Sequence, residues 1–188
     1  KDHEQIQQKN QIPDSTVDSL FAHFGFINLT EIQKKASPII LQKKDCLVIA
    51  PTGSGKTECS VIPIFSLVKK SKRPGKIKIL YITPLRALNR DVFRRITKYA
   101  QGNDLLIEIR HGDTTQTSRR KITENPPDVL ITTPETLVIL LTQIRMLDAL
   151  SELEWIIIDE VHELLASERG SQLSLSIERL QLNSKHYL

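Results

Sequence analysis

The stretch CLVIAPTGSGKTECS, residues 46–60, runs from an apolar, β-branched segment through two glycines, a serine and a lysine into a helical pattern. A short apolar run bounded by turn residues reads as a strand buried on both faces. Gly53 and Gly55 permit backbone torsions closed to other residues, so several N–H groups can turn inward, and the helix that follows adds its positive end. The expectation is a cup for an anion. Pro51, Thr52, Gly53, Ser54 and Gly55 form its wall, Lys56 reaches the β- and γ-phosphates of a nucleotide, and Thr57 offers its hydroxyl to Mg²⁺. Read without its surroundings, TGSG is a strand-to-helix turn followed by a surface lysine. A match of this form arises by chance in on the order of one chain in a hundred of this length, and less often directly after a buried strand.

Four more apolar runs follow: IKILYIT (77–83), LLIEIR (105–110), DVLITT (128–133) and WIIID (155–159). Helical patterns lie between and after them, over roughly 55–70, 84–100, 114–124, 134–147 and 170–182. Strand alternating with helix implies a mostly parallel sheet sandwiched by helices, the α/β class with a phosphate-binding loop. Two helices are expected ahead of the first strand. Residues 14–24 place Val17, Leu20, Phe21 and Phe24 on one face, with Asp14 as cap. Residues 30–41 open on TEIQ, where Thr30 and Gln33 have the spacing of a capping box. The domain spans 13–188 behind a tail of residues 1–12, and KKSKRPGK (69–76) reads as an exposed basic loop.

At 188 residues the chain is about one domain's worth. Cys46 and Cys59 are the only cysteines and form no C-x-x-C pair, so they read as two buried thiols rather than a disulfide or zinc framework. The net charge of +4 permits a polyanionic partner without requiring one. No apolar stretch approaches the roughly 18 residues that cross a bilayer, and the start lacks a signal peptide's apolar run. A cytoplasmic or nucleoid-associated protein is expected, nuclear in a eukaryote, with no membrane partner. The missing initial Met and the end at NSKHYL, directly after a helical pattern, point to a piece of something longer.

WIIIDEVH (155–162) supplies the acids that such a loop needs for turnover. Ligands bind beyond the carboxyl ends of parallel strands, so Asp159 and Glu160 are expected to face the same crevice as the loop. Asp159 is the magnesium-side acid and Glu160 the water-activating base; alone, such a pair is as often a helix cap. His162 is placed to sense the γ-phosphate, although an isolated histidine is more often an ordinary one. Two other strands end alike, in YITPLRALNRD (81–91) and ITTPETLVIL (131–140). Thr83 and Thr133 are expected N-caps, with Pro84 and Pro134 at the first helical positions. Free N–H groups at such termini grip phosphates without reading bases, and Arg86, Arg90, Arg94 and Arg95 add charge along the first helix. RHGDT (110–114) is a third such turn, at which Gly112 lets a backbone approach. The blander alternative is two ordinary helix starts and a solvated arginine face.

In order, these segments resemble the first RecA-like motor domain of a superfamily 2 helicase. LTEIQ (29–33) is similar to the Q motif, APTGSGKT (50–57) to motif I and TPLRAL (83–88) to motif Ia. HGD (111–113) then resembles the glycine motif, TTPETL (132–137) motif Ib and DEVH (159–162) motif II. HGDTTQTSRRKITENPPDVLITTPETLVILL (111–141) and DEVHELLASERGSQLSLSIERL (159–180) are most similar to the large helicase-related (Lhr) group, ATP-dependent 3′-to-5′ translocases acting mostly on DNA. Ski-type RNA and DNA helicases share the DEVH form. The resemblance implies that Gln33 recognises adenine and that Thr83, Pro84, Arg86, Gly112, Thr133 and Pro134 hold a nucleic-acid backbone. Arg169 and Gly170 match the segment after motif II, without an assigned role. The sequence stops before the Ser-Ala-Thr motif III and lacks the second motor domain, which in such enzymes supplies an arginine finger worth roughly 10³ to 10⁵ in rate. This chain alone is thus expected to bind Mg·ATP weakly and hydrolyse it barely. A non-motor scaffold of the same fold, or a P-loop kinase or transporter ATPase, are the rivals; the latter two do not account for the Thr-Pro turns or LTEIQ.

Overall fold

From residue 79 onward the apolar runs pair as expected. A computed structural model describes residues 13–68, 75–85, 87, 90–165 and 167–185. The strands are β1 (Ile79–Ile82), β2 (Ile107–Arg110), β3 (Val129–Thr132) and β4 (Trp155–Ile158). They form one parallel sheet in the order β2-β3-β1-β4. The two inner strands, ILYI and VLIT, are buried at every position, as a sheet covered on both faces requires. The register aligns Arg110 and Ile82 with Thr132, and Ile158 with Ile82. All four strands therefore discharge their loops over one edge, and Thr83, His111, Thr133 and Asp159 are the first residues beyond it.

The helices are α1 (Asp14–Ala22), α2 (Glu31–Leu41), α3 (Lys56–Val68), α4 (Arg90–Gln101), α5 (Gln116–Glu124), α6 (Pro134–Leu140), α7 (Ile144–Leu150), α8 (Val161–Leu165) and α9 (Glu168–Asn183). The chain divides into two compact units, one up to Leu67 and one from Val68. In the first, α1 packs on α2, burying Val17 and Phe21, with the Phe26 ring edge-on to Phe21 at 5.5 Å between centroids. In the second, Leu80, Ile82 and Leu130 of the sheet join Leu137, Met146 and Leu180 of the helices in one core.

Several expectations are corrected. Residues 46–50 join no ladder, and Leu47 and Ile49 are 72% and 83% exposed. Extended backbone counts as a strand only where a neighbour takes its hydrogen bonds. Cys46, in this run, is accordingly exposed, whereas Cys59 is buried. Asp14 lies in the first turn of α1, not at its cap, which is Pro13 with no side-chain hydrogen bond. The helix expected over 84–100 begins at Arg90, and the one expected over 134–147 breaks into α6 and α7 at an extended Gln143. The tail 1–12, most of the basic loop 69–76, and Arg86 lie outside the described residues. Among the described residues no helix is long and apolar enough to cross a membrane.

Candidate functional site

The turn before α3 has the shape of an anion cup. Gly53 and Gly55 hold φ of +79° and +88°, values that side-chain-bearing residues rarely adopt. Gly55 is also needed for space: a Cβ there would collide with the Gln33 side-chain amide and lie 3.1 Å from its Cδ. Lys56 folds back over the turn, its Nζ donating to the Ala50 carbonyl at 2.6 Å and the Pro51 carbonyl at 3.2 Å. Its charge is thus held by neutral acceptors. The Ser54 hydroxyl is buried without a hydrogen-bond partner, and Thr57 stands half-buried in the first helical turn. Two left-handed glycines, a cation on carbonyl oxygens and an orphaned hydroxyl fit a phosphate group.

Gln33 stands in the capping role. Its Oε1 accepts from the Thr30 amide at 3.0 Å, and Thr30 Oγ1 accepts from the Gln33 amide at 3.4 Å, closing the capping box. The other end of the same amide, Nε2, lies against Gly55. At 2% exposure the side chain is fixed between cap and phosphate loop. Nearby, the Cys59 thiol donates to the Lys56 carbonyl, and burial pushes its pKa up to about 12, so it is no nucleophile.

In the second unit, Asp159 prolongs β4 by one bond, its amide donating to the Ile82 carbonyl at 2.8 Å. Both carboxylate oxygens are engaged. Oδ2 accepts from the Tyr81 hydroxyl at 2.6 Å, and Oδ1 from the Glu160 amide at 2.9 Å. Tyr81, buried in the central strand, therefore fixes the orientation of the acid. Sequence reading missed this partner, because a tyrosine inside a strand reads as core and lies 78 positions away. Glu160 has φ of +49°, a left-handed conformation that costs a side-chain-bearing residue about 1–3 kcal/mol. The torsion turns the chain from β4 into α8, whose first turn is closed by the Glu163 amide on the Glu160 carbonyl. His162 Nδ1 lies 3.4 Å from Glu160 Oε2.

The remaining predicted residues stand at the carboxyl edge of the sheet. Thr133 caps α6, its Oγ1 accepting from the Thr136 amide at 3.4 Å with Pro134 at the first helical position, as expected. Thr83 does not cap a helix, since α4 starts at residue 90; its hydroxyl is buried and unpartnered, and its amide donates to Thr132. Pro84 opens a turn, with the Ala87 amide on its carbonyl. Gly112 is exposed, with nothing within 4 Å of where a Cβ would be, and its carbonyl accepts from Arg119. Arg94 pairs with Asp91 at 3.1 Å on the solvated face of α4. Arg169 reaches back to Glu135 in the first turn of α6. Burial alone would raise the Glu135 pKa, but the hydrogen bond from Arg169, with backbone and Thr133 contacts, holds it below the ordinary 4.5.

Comparison with known proteins decides the family. Residues 30–188 match the model of the DEAD/DEAH box helicases. The chain belongs to that family. It is 39% identical over 171 residues to the ATP-dependent helicase Lhr-Core of Methanothermobacter thermautotrophicus, covering 83% of this chain and 20% of the relative. It is 38% identical over 178 residues to the Lhr helicase/uracil glycosylase of Escherichia coli, covering 83% of this chain and 11% of that protein. The chain thus spans a fifth or less of these two curated relatives. Among solved structures, Mycobacterium smegmatis helicase Lhr bound to ssDNA and AMP-PNP superposes with a TM-score of 0.75 at 36% identity, over 91% of this chain and 23% of that one. The DEAD-box helicase Mss116 bound to ssRNA and UDP-BeF, at 22% identity and a TM-score of 0.76 over 95% of this chain and 37% of that one, shares the fold. The helicase domain is RecA-like and similar to those of Lhr-type ATP-dependent helicases.

Proposed function

We propose that this chain is the ATP-binding motor domain of a nucleic-acid translocase that acts on DNA and works with a second RecA-like domain in the same polypeptide. The observation that carries the reading is the phosphate loop: Gly53 and Gly55 left-handed, Lys56 held only by carbonyls, and Ser54 with an unsatisfied buried hydroxyl. Lys56 neutralises the β- and γ-phosphates, the loop from Pro51 to Gly55 surrounds them with amides, and Gln33 recognises the adenine through its side-chain amide. Thr57 and Asp159 are the magnesium-side ligands. Among the described residues no group of three or more His, Cys, Asp or Glu side chains could hold a metal ion alone. A magnesium ion held by Thr57 and Asp159 would supply positive charge at the phosphates.

Tyr81 orients Asp159, and Glu160 orients and deprotonates the attacking water. His162, beside the Glu160 carboxylate, couples the state of that carboxylate to the start of α8. The turns at Thr83–Pro84, Gly112 and Thr133–Pro134, together with Arg86, hold a sugar-phosphate backbone without reading bases. Support for DNA comes from the similar Mycobacterium smegmatis Lhr, whose solved structure holds ssDNA. The reading is tested with two variants of the full-length protein. Lys56→Ala is expected to abolish binding of a fluorescent ATP analogue, and Glu160→Gln to retain binding while losing hydrolysis. Normal turnover by Glu160→Gln would refute the assignment of the base.

A further inference from the structure

A second basic feature lies beyond these turns, where the break between α6 and α7 brings Gln143 and Arg145 beside the end of β2. The cleft there has a volume of about 430 Å³ and is walled by Arg110, Arg119, Arg120 and Arg145, with Glu124 as its one acid. That acid is occupied, its Oε1 accepting from Arg120 Nε at 2.7 Å. Arg110 is 6% exposed, yet its guanidinium donates only to neutral groups: Thr123 Oγ1 at 3.2 Å and Gln143 Oε1 at 2.9 Å. Arg119 donates to the Gly112 carbonyl. Among the described residues no carboxylate pairs with Arg110, Arg119 or Arg145.

We propose that this cleft is a phosphate-binding site that extends the grip on the nucleic-acid backbone past the Gly112 turn. The proposal rests on the nucleic-acid reading above and deepens it. A buried cation without a counter-ion is costly to keep, and a guanidinium fork matches two phosphate oxygens. Burial, and then the charge of Arg119, lower the Arg110 pKa, so the two cations repel in the absence of an anion. Continuity identifies the anion. Arg110 directly precedes the His111–Asp113 turn, and its carbonyl accepts from Thr132 Oγ1 at 2.8 Å, the residue before Thr133. Every residue lining the cleft is polar, so it offers no apolar pocket of the kind that anchors a protein partner.

The test is binding of a fluorescent single-stranded DNA oligonucleotide to the full-length protein over a salt series, with wild type and Arg120→Ala/Arg145→Ala. Both residues are exposed, so the fold is not at stake. The variant is expected to bind several-fold more weakly, with the slope of log K against log salt shrinking by roughly 0.7 for each phosphate no longer neutralised. Its ATPase rate without nucleic acid is expected to be unchanged. Wild-type affinity and slope in the variant would overturn the cleft alone. So would a variant that loses affinity for polyglutamate but not for DNA. Failure of the wild type to bind any strand would overturn the nucleic-acid reading and the cleft with it.

Discussion

At Gly55 two constraints fall on one residue: a left-handed torsion and the Gln33 amide packed where a Cβ would sit. Gly53 carries only the first, with open space around it. Gly55→Ala is therefore expected to damage the loop more than Gly53→Ala, whose torsional penalty is about 1–2 kcal/mol. Nucleotide titration of the two variants checks the order. Tyr81→Phe keeps the ring's packing but leaves Asp159 Oδ2 without its donor. It is expected to cost about 1 kcal/mol of stability and to lower kcat for ATP more than it changes nucleotide affinity. The glycine turn before α3 was legible in the sequence because glycines, lysine and threonine at fixed spacing act within a few residues of each other. The Tyr81–Asp159 bond was not, since it joins two strands that only the sheet order brings side by side.

Among the elements, the inner strands were easiest to read, because burial on both faces leaves an unbroken apolar run. Helix starts were read well at Lys56 and at Pro134, and poorly at Arg90. Thr133 and Thr83 precede the same residue, proline, yet only Thr133 caps a helix. What separates them is the course of the chain after the proline, which a dipeptide does not encode. Thr133→Ala is expected to cost about 1 kcal/mol in a urea titration, and Thr83→Val to be neutral or stabilising, because its hydroxyl is already unpartnered. The Glu135–Arg169 pair adds a pH dependence. A carboxylate held below its ordinary 4.5 contributes stability above that pH, and the contribution is lost as the pH falls through the lowered native value. Arg169→Ala is expected to flatten the acid limb of the stability curve there.

For the molecule as a whole, the α/β class and the family were legible because six motifs occur in order along one chain. The run at 46–50 was misread for the opposite reason: pairing depends on a neighbour, and its apolar character carries no record of which strand that is. The helicase relatives are five or more times longer than the part matched here. On the proposed reading, in which a second domain completes the nucleotide site, the isolated chain is expected to hydrolyse ATP barely. The most direct measurement is the ATPase rate of the full-length protein with single-stranded DNA, duplex DNA and RNA across a salt series. Stimulation by DNA that fades as salt rises is the predicted result; a rate indifferent to every nucleic acid would contradict the motor and leave a plain nucleotide switch.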